Sequence, residues 1–268
     1  MKYHILIFAA LLVLSACNLD EGNKQKVGIN SDTLAFTYDT IKYRAPDCGN
    51  KADSACSVAL IIYPKFISQK VLNDTLAQKL MSAGFNSPEK KPDTSLQSFA
   101  DNFIKGYVKD NPKQYSPEMF YTLNITADSV RQYPGLTTLR IDGYIYQGGA
   151  HGASSTTFVN WDTKNNRPVK LSDILINGYS EKLSVVGEAI FRKQEKLSDT
   201  SSLAHDYFFK DNRFALNENY HITQLGIRFL YNQYEIKPYA AGTTQLLIPY
   251  ENIKSLLRPN TVITQFIK

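Results

Sequence analysis

From Leu139 to Tyr146 the chain alternates, with Leu139, Ile141 and Ile145 on one side and Arg140, Asp142, Tyr144 and Tyr146 on the other. Successive side chains of a β-strand point to opposite faces, so this pattern demands a sheet with one buried face and one tyrosine-bearing face at least partly open. The run ends in Tyr146-Gln147-Gly148-Gly149-Ala150-His151-Gly152. Three glycines in five residues imply backbone angles or close approaches that side chains would block. Strand-like sequence resumes at residues 156–162, so the glycines form a sharp, structured connection between two strands.

The remaining pattern predicts an α+β fold, with antiparallel sheets packed with helices in two sub-domains, residues 33–120 and 121–268. Residues 33–44 and 56–66 are rich in β-branched and aromatic residues and read as strands, with turn-like sequence at 46–55. Leu72, Leu76 and Leu80 recur at helical spacing with Gly84 as a C-cap. Leu96, Phe99, Phe103 and Tyr107 mark a second amphipathic helix that stops before Pro112. Further strands are expected at 121–133, 139–147, 156–162, 169–171, 220–223, 226–231 and 245–249. Short helices are expected at 173–175 and 203–209, a longer one from about residue 180 on Leu183, Val186, Ile190 and Leu197, and a terminal one at 250–257. Strand clusters separated by helices without regular βαβ alternation argue for antiparallel pairing.

The first residues fix a location. Met1-Lys2-Tyr3-His4 is short and polar, and the segment from Ile5 to Leu14 is apolar without a break. Such a run is too short to span a bilayer, which takes ~20 residues, and it has the order of a secretory signal over residues 1–16. Leu14-Ser15-Ala16-Cys17 resembles the lipobox of bacterial lipoproteins, in which the cysteine thiol is lipidated and becomes the first residue. One acyl chain binds a membrane only reversibly, with K of about 10⁴ M⁻¹; a modified Cys17 carries several and holds. Residues 17–32 read as a lipidated flexible tether, with Asp20-Glu21 similar to a surface-export signal or simply a solvated linker. The expectation is a cell-envelope protein, outer-membrane or surface-exposed rather than inner-membrane.

Export also decides the other thiols. With Cys17 acylated, Cys48 and Cys56 remain, and an even pair in an exported chain reads as a disulfide. A metal site lacks support, because the spacing is not Cys-x-x-Cys and no histidine is near. The formal charge of +5 is dispersed, unlike the concentrated basic stripe of a nucleic-acid-binding protein. Nothing in the sequence calls for a cofactor.

Three separated blocks carry a family resemblance. They are Asp47-Cys48 to Cys56 with Tyr63-Pro64 and Leu72-Asn73-Asp74; the Tyr146–Gly152 motif followed by Pro168-Val169-Lys170-Leu171-Ser172-Asp173-Ile174-Leu175; and Tyr231-Asn232-Gln233-Tyr234-Glu235-Ile236-Lys237-Pro238-Tyr239-Ala240-Ala241-Gly242. Together, over about residues 34–257, they resemble a pair of bacterial envelope domains of unknown function. That pair forms the extracellular part of RsiV-type anti-sigma factors, which sense lysozyme, and accompanies PdaC-type peptidoglycan deacetylases. The sequence has no sigma-binding segment, no spanning helix and no His-x-x-x-His among His4, His151, His205 and His221. The resemblance therefore implies a non-enzymatic module that binds a lysozyme-type protein or a peptidoglycan fragment.

Tyr144, Tyr146, His151, Trp161, Tyr231, Tyr234 and Tyr239 are the candidate ligand-binding residues, since tyrosine joins a flat apolar face to a hydroxyl at little entropic cost. The alternative is that these rings close the edges of a sheet. Gly148, Gly149 and Gly152 are assigned to the turn itself. His151 stands open between two roles: locking the turn through backbone groups, or serving with Asp142 or Asp162 in a hydrolase or deacetylase, with His205 and His221 as converging partners.

Overall fold

The computed structural model describes residues 34–83, 93–110 and 120–267. The expected leader, Cys17, the tether and Gly84 lie outside the described residues. From Ser31 onward the chain forms one compact unit. Its first sheet has six strands in chain order: β1 (Phe36–Arg44), β2 (Val58–Phe66), β3 (Thr122–Tyr133), β4 (Leu136–Tyr146), β5 (Ala153–Asp162) and β6 (Arg167–Pro168). Strands on both sides of the boundary expected near residue 120 thus share one sheet.

The fold is α+β with two sheets, and one pairing departs from the antiparallel expectation. β2 and β3 run parallel, with Ile61 opposite Ile125, because α1 (Lys70–Ala83) and α2 (Leu96–Asp110) carry the chain back across the sheet before β3 begins. α2 packs on β1 and β2, and α1 on β4 and β5. Leu72, Leu76 and Leu80 of α1 and Phe99, Phe103 and Tyr107 of α2 are buried against Ile41, Ile61, Ile125 and Ile141. These are the positions that the helical and alternating spacings mark. α2 begins at a reciprocal cap, in which Ser95 Oγ accepts the Ser98 N–H at 3.1 Å and Ser98 Oγ accepts the Ser95 N–H at 3.2 Å.

The disulfide forms between Cys48 and Cys56, and both residues are buried. It clips the shared end of β1 and β2, where Arg44 pairs with Val58. Arg44 reinforces the loop by donating to the Gly49 carbonyl at 3.2 Å and pairing with Asp53 at 3.1 Å.

A second sheet, β7 (Tyr220–Ile222), β8 (Gly226–Tyr231) and β9 (Thr244–Pro249), is antiparallel and is covered by α4 (Tyr179–Gln194). Its core holds Leu183, Ile227, Phe229 and Ile248 together with an aromatic group, Phe191 stacked edge-on to Tyr207 at 5.1 Å and Phe209 at 5.5 Å.

Two local expectations fail. Residues 169–171 are not a strand: pairing ends at Pro168, and Leu171–Ile174 is instead a helical turn, α3, capped by Asp173, whose carboxylate accepts the Lys170 N–H at 2.7 Å. Residues 203–209 are a turn rather than a helix, closed by one bond from the Tyr207 N–H to the Leu203 carbonyl at 3.2 Å. Leu203, Tyr207 and Phe209 are apolar because all three plug the aromatic core.

Asparagine side chains join the two sheets where main-chain pairing stops. Asn160 on β5 accepts the Ile222 N–H at 2.9 Å and donates to the Tyr220 carbonyl at 2.9 Å. Asn219 accepts the Phe158 N–H at 3.2 Å and donates to the Thr156 carbonyl at 2.8 Å. A carboxamide carries a donor and an acceptor side by side, as a peptide group does, so these residues continue the ladder from β5 to β7.

Candidate functional site

The β4–β5 connection is built as its glycines require. Gly148 and Gly149 have φ of 92° and 90°, in the region that L side chains rarely occupy. Tyr146 Oη donates to the Gly149 carbonyl at 3.0 Å and fastens the crown of the turn to the end of β4. At Gly152 a side chain is excluded for a second reason: an added Cβ would lie 2.5 Å from the ring of Tyr144, which packs over the glycine.

This turn holds His151 outward against a second loop. The imidazole stacks on Tyr239 with centroids 4.3 Å apart and planes 19° apart, and faces Tyr234 at 6.3 Å and 25°. Tyr234 and Tyr239 also meet, at 5.4 Å. His151 Nδ1 lies 2.9 Å from the Gly152 carbonyl, which can only accept, so Nδ1 carries the proton and Nε2 faces Tyr234 Oη at 3.4 Å. Tyr234 is 55% exposed and Tyr144 40% exposed. Tyr234 also has a positive φ of 64°, a conformation uncommon outside glycine and asparagine.

The loop bearing Tyr234 and Tyr239 is tied to the first sheet by Asn232, whose carboxamide binds both main-chain groups of Thr156. Glu235 closes the turn behind it by accepting the Asn232 N–H at 2.7 Å and the Asn217 amide at 2.7 Å. Asn232 lies within the Tyr231–Gly242 block, and nothing in the sequence marks its anchoring role.

Five of the seven candidate residues, Tyr144, Tyr146, His151, Tyr234 and Tyr239, thus gather around the Gly148–Gly152 turn. The other two belong to the core. Trp161 is 0% exposed and Tyr231 1% exposed, so neither offers a face to a ligand. Tyr231 Oη donates to the Ala215 carbonyl at 2.8 Å, and burial pushes its hydroxyl well above the usual phenol range.

The carboxylates considered beside His151 are engaged elsewhere. Asp142 pairs with Arg140 at 2.8 Å and accepts the Thr156 hydroxyl at 2.5 Å. Asp162 is buried and accepts the Lys164 and Asn165 N–H groups at 3.0 and 2.9 Å, which makes it a turn former. Among the described residues no carboxylate forms a hydrogen bond or ion pair with His151, and no three His, Cys, Asp or Glu side chains cluster as metal ligands. His205 is exposed on the turn after α4, and His221 meets Phe158 in a tilted ring contact at 4.3 Å. Neither forms a hydrogen bond or ring contact with His151 among the described residues. No helix among them is long and apolar enough to cross a membrane.

The chain is therefore a two-sheet α+β domain with an exposed histidine–tyrosine cluster at one end of its larger sheet. Residues 172–251 match the model of a family described as a protein of unknown function, DUF3298. Two solved structures from that family share the fold. A member from Bacteroides fragilis is 27% identical, with a TM-score of 0.67 over 88% of this chain and 98% of its own. One from Pseudomonas aeruginosa, at 20% identity and the same TM-score of 0.67 over 85% and 96% of the two chains, shows the fold alone. The immunogenic protein MPB64 of Mycobacterium bovis and MPT64 of Mycobacterium tuberculosis are each 26% identical over 173 residues, 63% of this chain and 72% of theirs.

Proposed function

We propose that this is a non-enzymatic envelope lipoprotein, held on a membrane through acyl chains on Cys17, whose folded part binds a lysozyme-type protein or a peptidoglycan fragment. The observation that carries the binding role is the stack of His151 on Tyr239 with Tyr234 beside it, exposed and pre-positioned by two independently fastened loops. Rigid aromatic faces with polar tips suit both saccharide and protein surfaces, and pre-positioning removes the ordering cost of binding. The engagement of Asp142 and Asp162 with Arg140 and with turn amides favours this reading over a hydrolase or deacetylase built on His151.

Calorimetry against lysozymes and soluble muropeptides tests the reading. Tyr239→Ala should weaken binding about tenfold or more, as for a central aromatic contact. Binding unaffected by Tyr239→Ala and His151→Ala, or no binding at high micromolar concentration, would overturn it. Mass spectrometry of the exported product tests the anchor, since an unmodified Cys17 thiol removes it.

A further inference from the structure

A cleft of about 400 Å³ opens where the two hydrophobic cores part, lined by Val159 of the first core and by Val169 and Tyr220 of the second. Its walls are Thr75 and Lys79 on α1, Lys170 and Ser172 at the start of α3, and Glu218 at the entry to β7. Phe158 of β5 and Tyr179 of α4, both half-buried, complete the lining. The cleft exists because β5 changes partners here. Its main chain pairs with β6 only at Trp161 and Asp162, and the Asn160 carboxamide then continues toward β7. Aromatic and apolar walls with a few polar groups, at the junction of two cores, are the usual setting of a small-ligand site.

The polar groups around the cleft divide into two sets. Those that belong to the fold are engaged: Tyr220 Oη donates to the Val169 carbonyl at 3.0 Å, and Thr75 Oγ1 to the Val71 carbonyl at 2.8 Å. Those that open to solvent are free. Lys79, Lys170 and Glu218 are exposed, and none of the three forms an ion pair among the described residues. Asp173, close to Lys170 in sequence, is taken by Arg167 at 2.8 Å. The hydroxyls of Ser172 and Tyr179 likewise make no hydrogen bond among the described residues. Behind Phe158 lies His221, with 4.3 Å between ring centroids and 43° between planes. Burial first, then Arg228 and Arg140, hold that imidazole down to about 4, so the ring behind Phe158 is uncharged at pH 7.

We propose that this cleft binds an acidic sugar, a pyranose ring carrying one carboxylate or phosphate. The anion is held by Lys79 and Lys170, whose compact ammonium charges take either group. Ring hydroxyls donate to Glu218 and meet Ser172 and Tyr179, while the apolar face of the sugar lies against Phe158. Two cations facing one carboxylate leave the cleft net positive, which favours an anionic sugar over a neutral one. No residue of the His151 cluster lines the cleft, so the site stands apart from the reading given to that cluster.

The test is calorimetry of the whole protein at low salt against N-acetylmuramic acid, N-acetylglucosamine-6-phosphate, N-acetylglucosamine and inorganic phosphate. At least one sugar acid should bind in the millimolar range or tighter, and more tightly than the neutral sugar or phosphate alone. The two acids separate a carboxylate source from a phosphate source. Lys79→Gln and Lys170→Gln should each weaken binding about fivefold, the upper worth of one exposed charge contact. The double variant should lose about the product of the two. Both positions are exposed, so melting curves should stay at the parent value, and His151→Ala should leave the affinity unchanged. Equal affinity for N-acetylglucosamine, phosphate alone binding as tightly as the sugar acids, an unmoved affinity in the double variant, a loss of binding in His151→Ala, or no response to either acid in the millimolar range would each overturn the proposal.

Discussion

The side chain of Asn232 brackets the main chain of Thr156: its Oδ1 accepts the Thr156 N–H at 2.7 Å and its Nδ2 donates to the Thr156 carbonyl at 3.1 Å. These two bonds join the loop that carries Tyr234 and Tyr239 to the strand that follows His151. The aromatic cluster is therefore assembled from segments some 80 residues apart by one carboxamide.

Replacing Asn232 by alanine should release that loop without removing a ring. The expected loss is about 1–3 kcal/mol of stability, from the Thr156 N–H left unpaired, while the Thr156 carbonyl keeps its bond from Asn219 Nδ2 at 2.8 Å. The stacking of His151 on Tyr239 should be lost with it. Urea denaturation measures the first effect, and ring-current shifts of the His151 protons in NMR report the second.

Gly152→Ala should act on the site more than on the fold. The added Cβ meets the far end of the Tyr144 side chain, which can swing outward toward solvent at modest cost. A melting temperature within a few degrees of the parent, with a changed Tyr144 environment and altered ligand affinity, is the expected outcome. A collapse of stability would show that the turn cannot yield.

His221 should make the protein acid-sensitive. Its folded-state pKa of about 4 lies below the ordinary 6.5, so between those values the unfolded chain binds a proton that the folded chain does not. Stability is then full above about pH 6.5 and declines as the pH falls toward 4. The loss from this group is on the order of 2 kcal/mol after allowance for its partial exposure. His221→Phe should flatten the slope in that window, which chemical denaturation at a series of pH values would reveal.

Reducing the Cys48–Cys56 bond, or replacing both cysteines by alanine, should lower stability by about 2.5 kcal/mol, the chain-entropy value for so short a loop, given a separation of 8 residues. The effect should concentrate at the open end of β1 and β2. Hydrogen exchange of the amides near Arg44 and Val58 should accelerate more than that of β4 amides.

Much of the architecture was legible in the order of residues because local periodicity is a physical constraint. Leu72, Leu76 and Leu80 can share a face only in a helix, and Leu139, Ile141 and Ile145 only in a strand; all are buried except Ile145, which is half-buried against the same core. Gly148 and Gly149 announced a turn with positive φ, and that is what they form. The pair of cysteines left after Cys17 announced a disulfide.

Other features depended on distance in space, which spacing along the chain does not encode. Trp161 and Tyr231 share the residue types of a binding surface, yet packing between the layers encloses them completely. Leu203, Tyr207 and Phe209 are apolar enough to suggest a short helix, yet they are separate plugs of one aromatic core. The parallel pairing of β2 with β3 follows from the path of two helices over the sheet. The sequence by itself determined the elements, the glycine turn and the cysteine clip, all of them set by neighbours within a few residues. Only tertiary structure decided which tyrosines face outward, that His151 lies on Tyr239, and that Lys79 and Lys170 line one cleft with Phe158, because those relations arise where distant strands, helices and loops meet and pairing is chosen by burial and unsatisfied hydrogen-bonding groups.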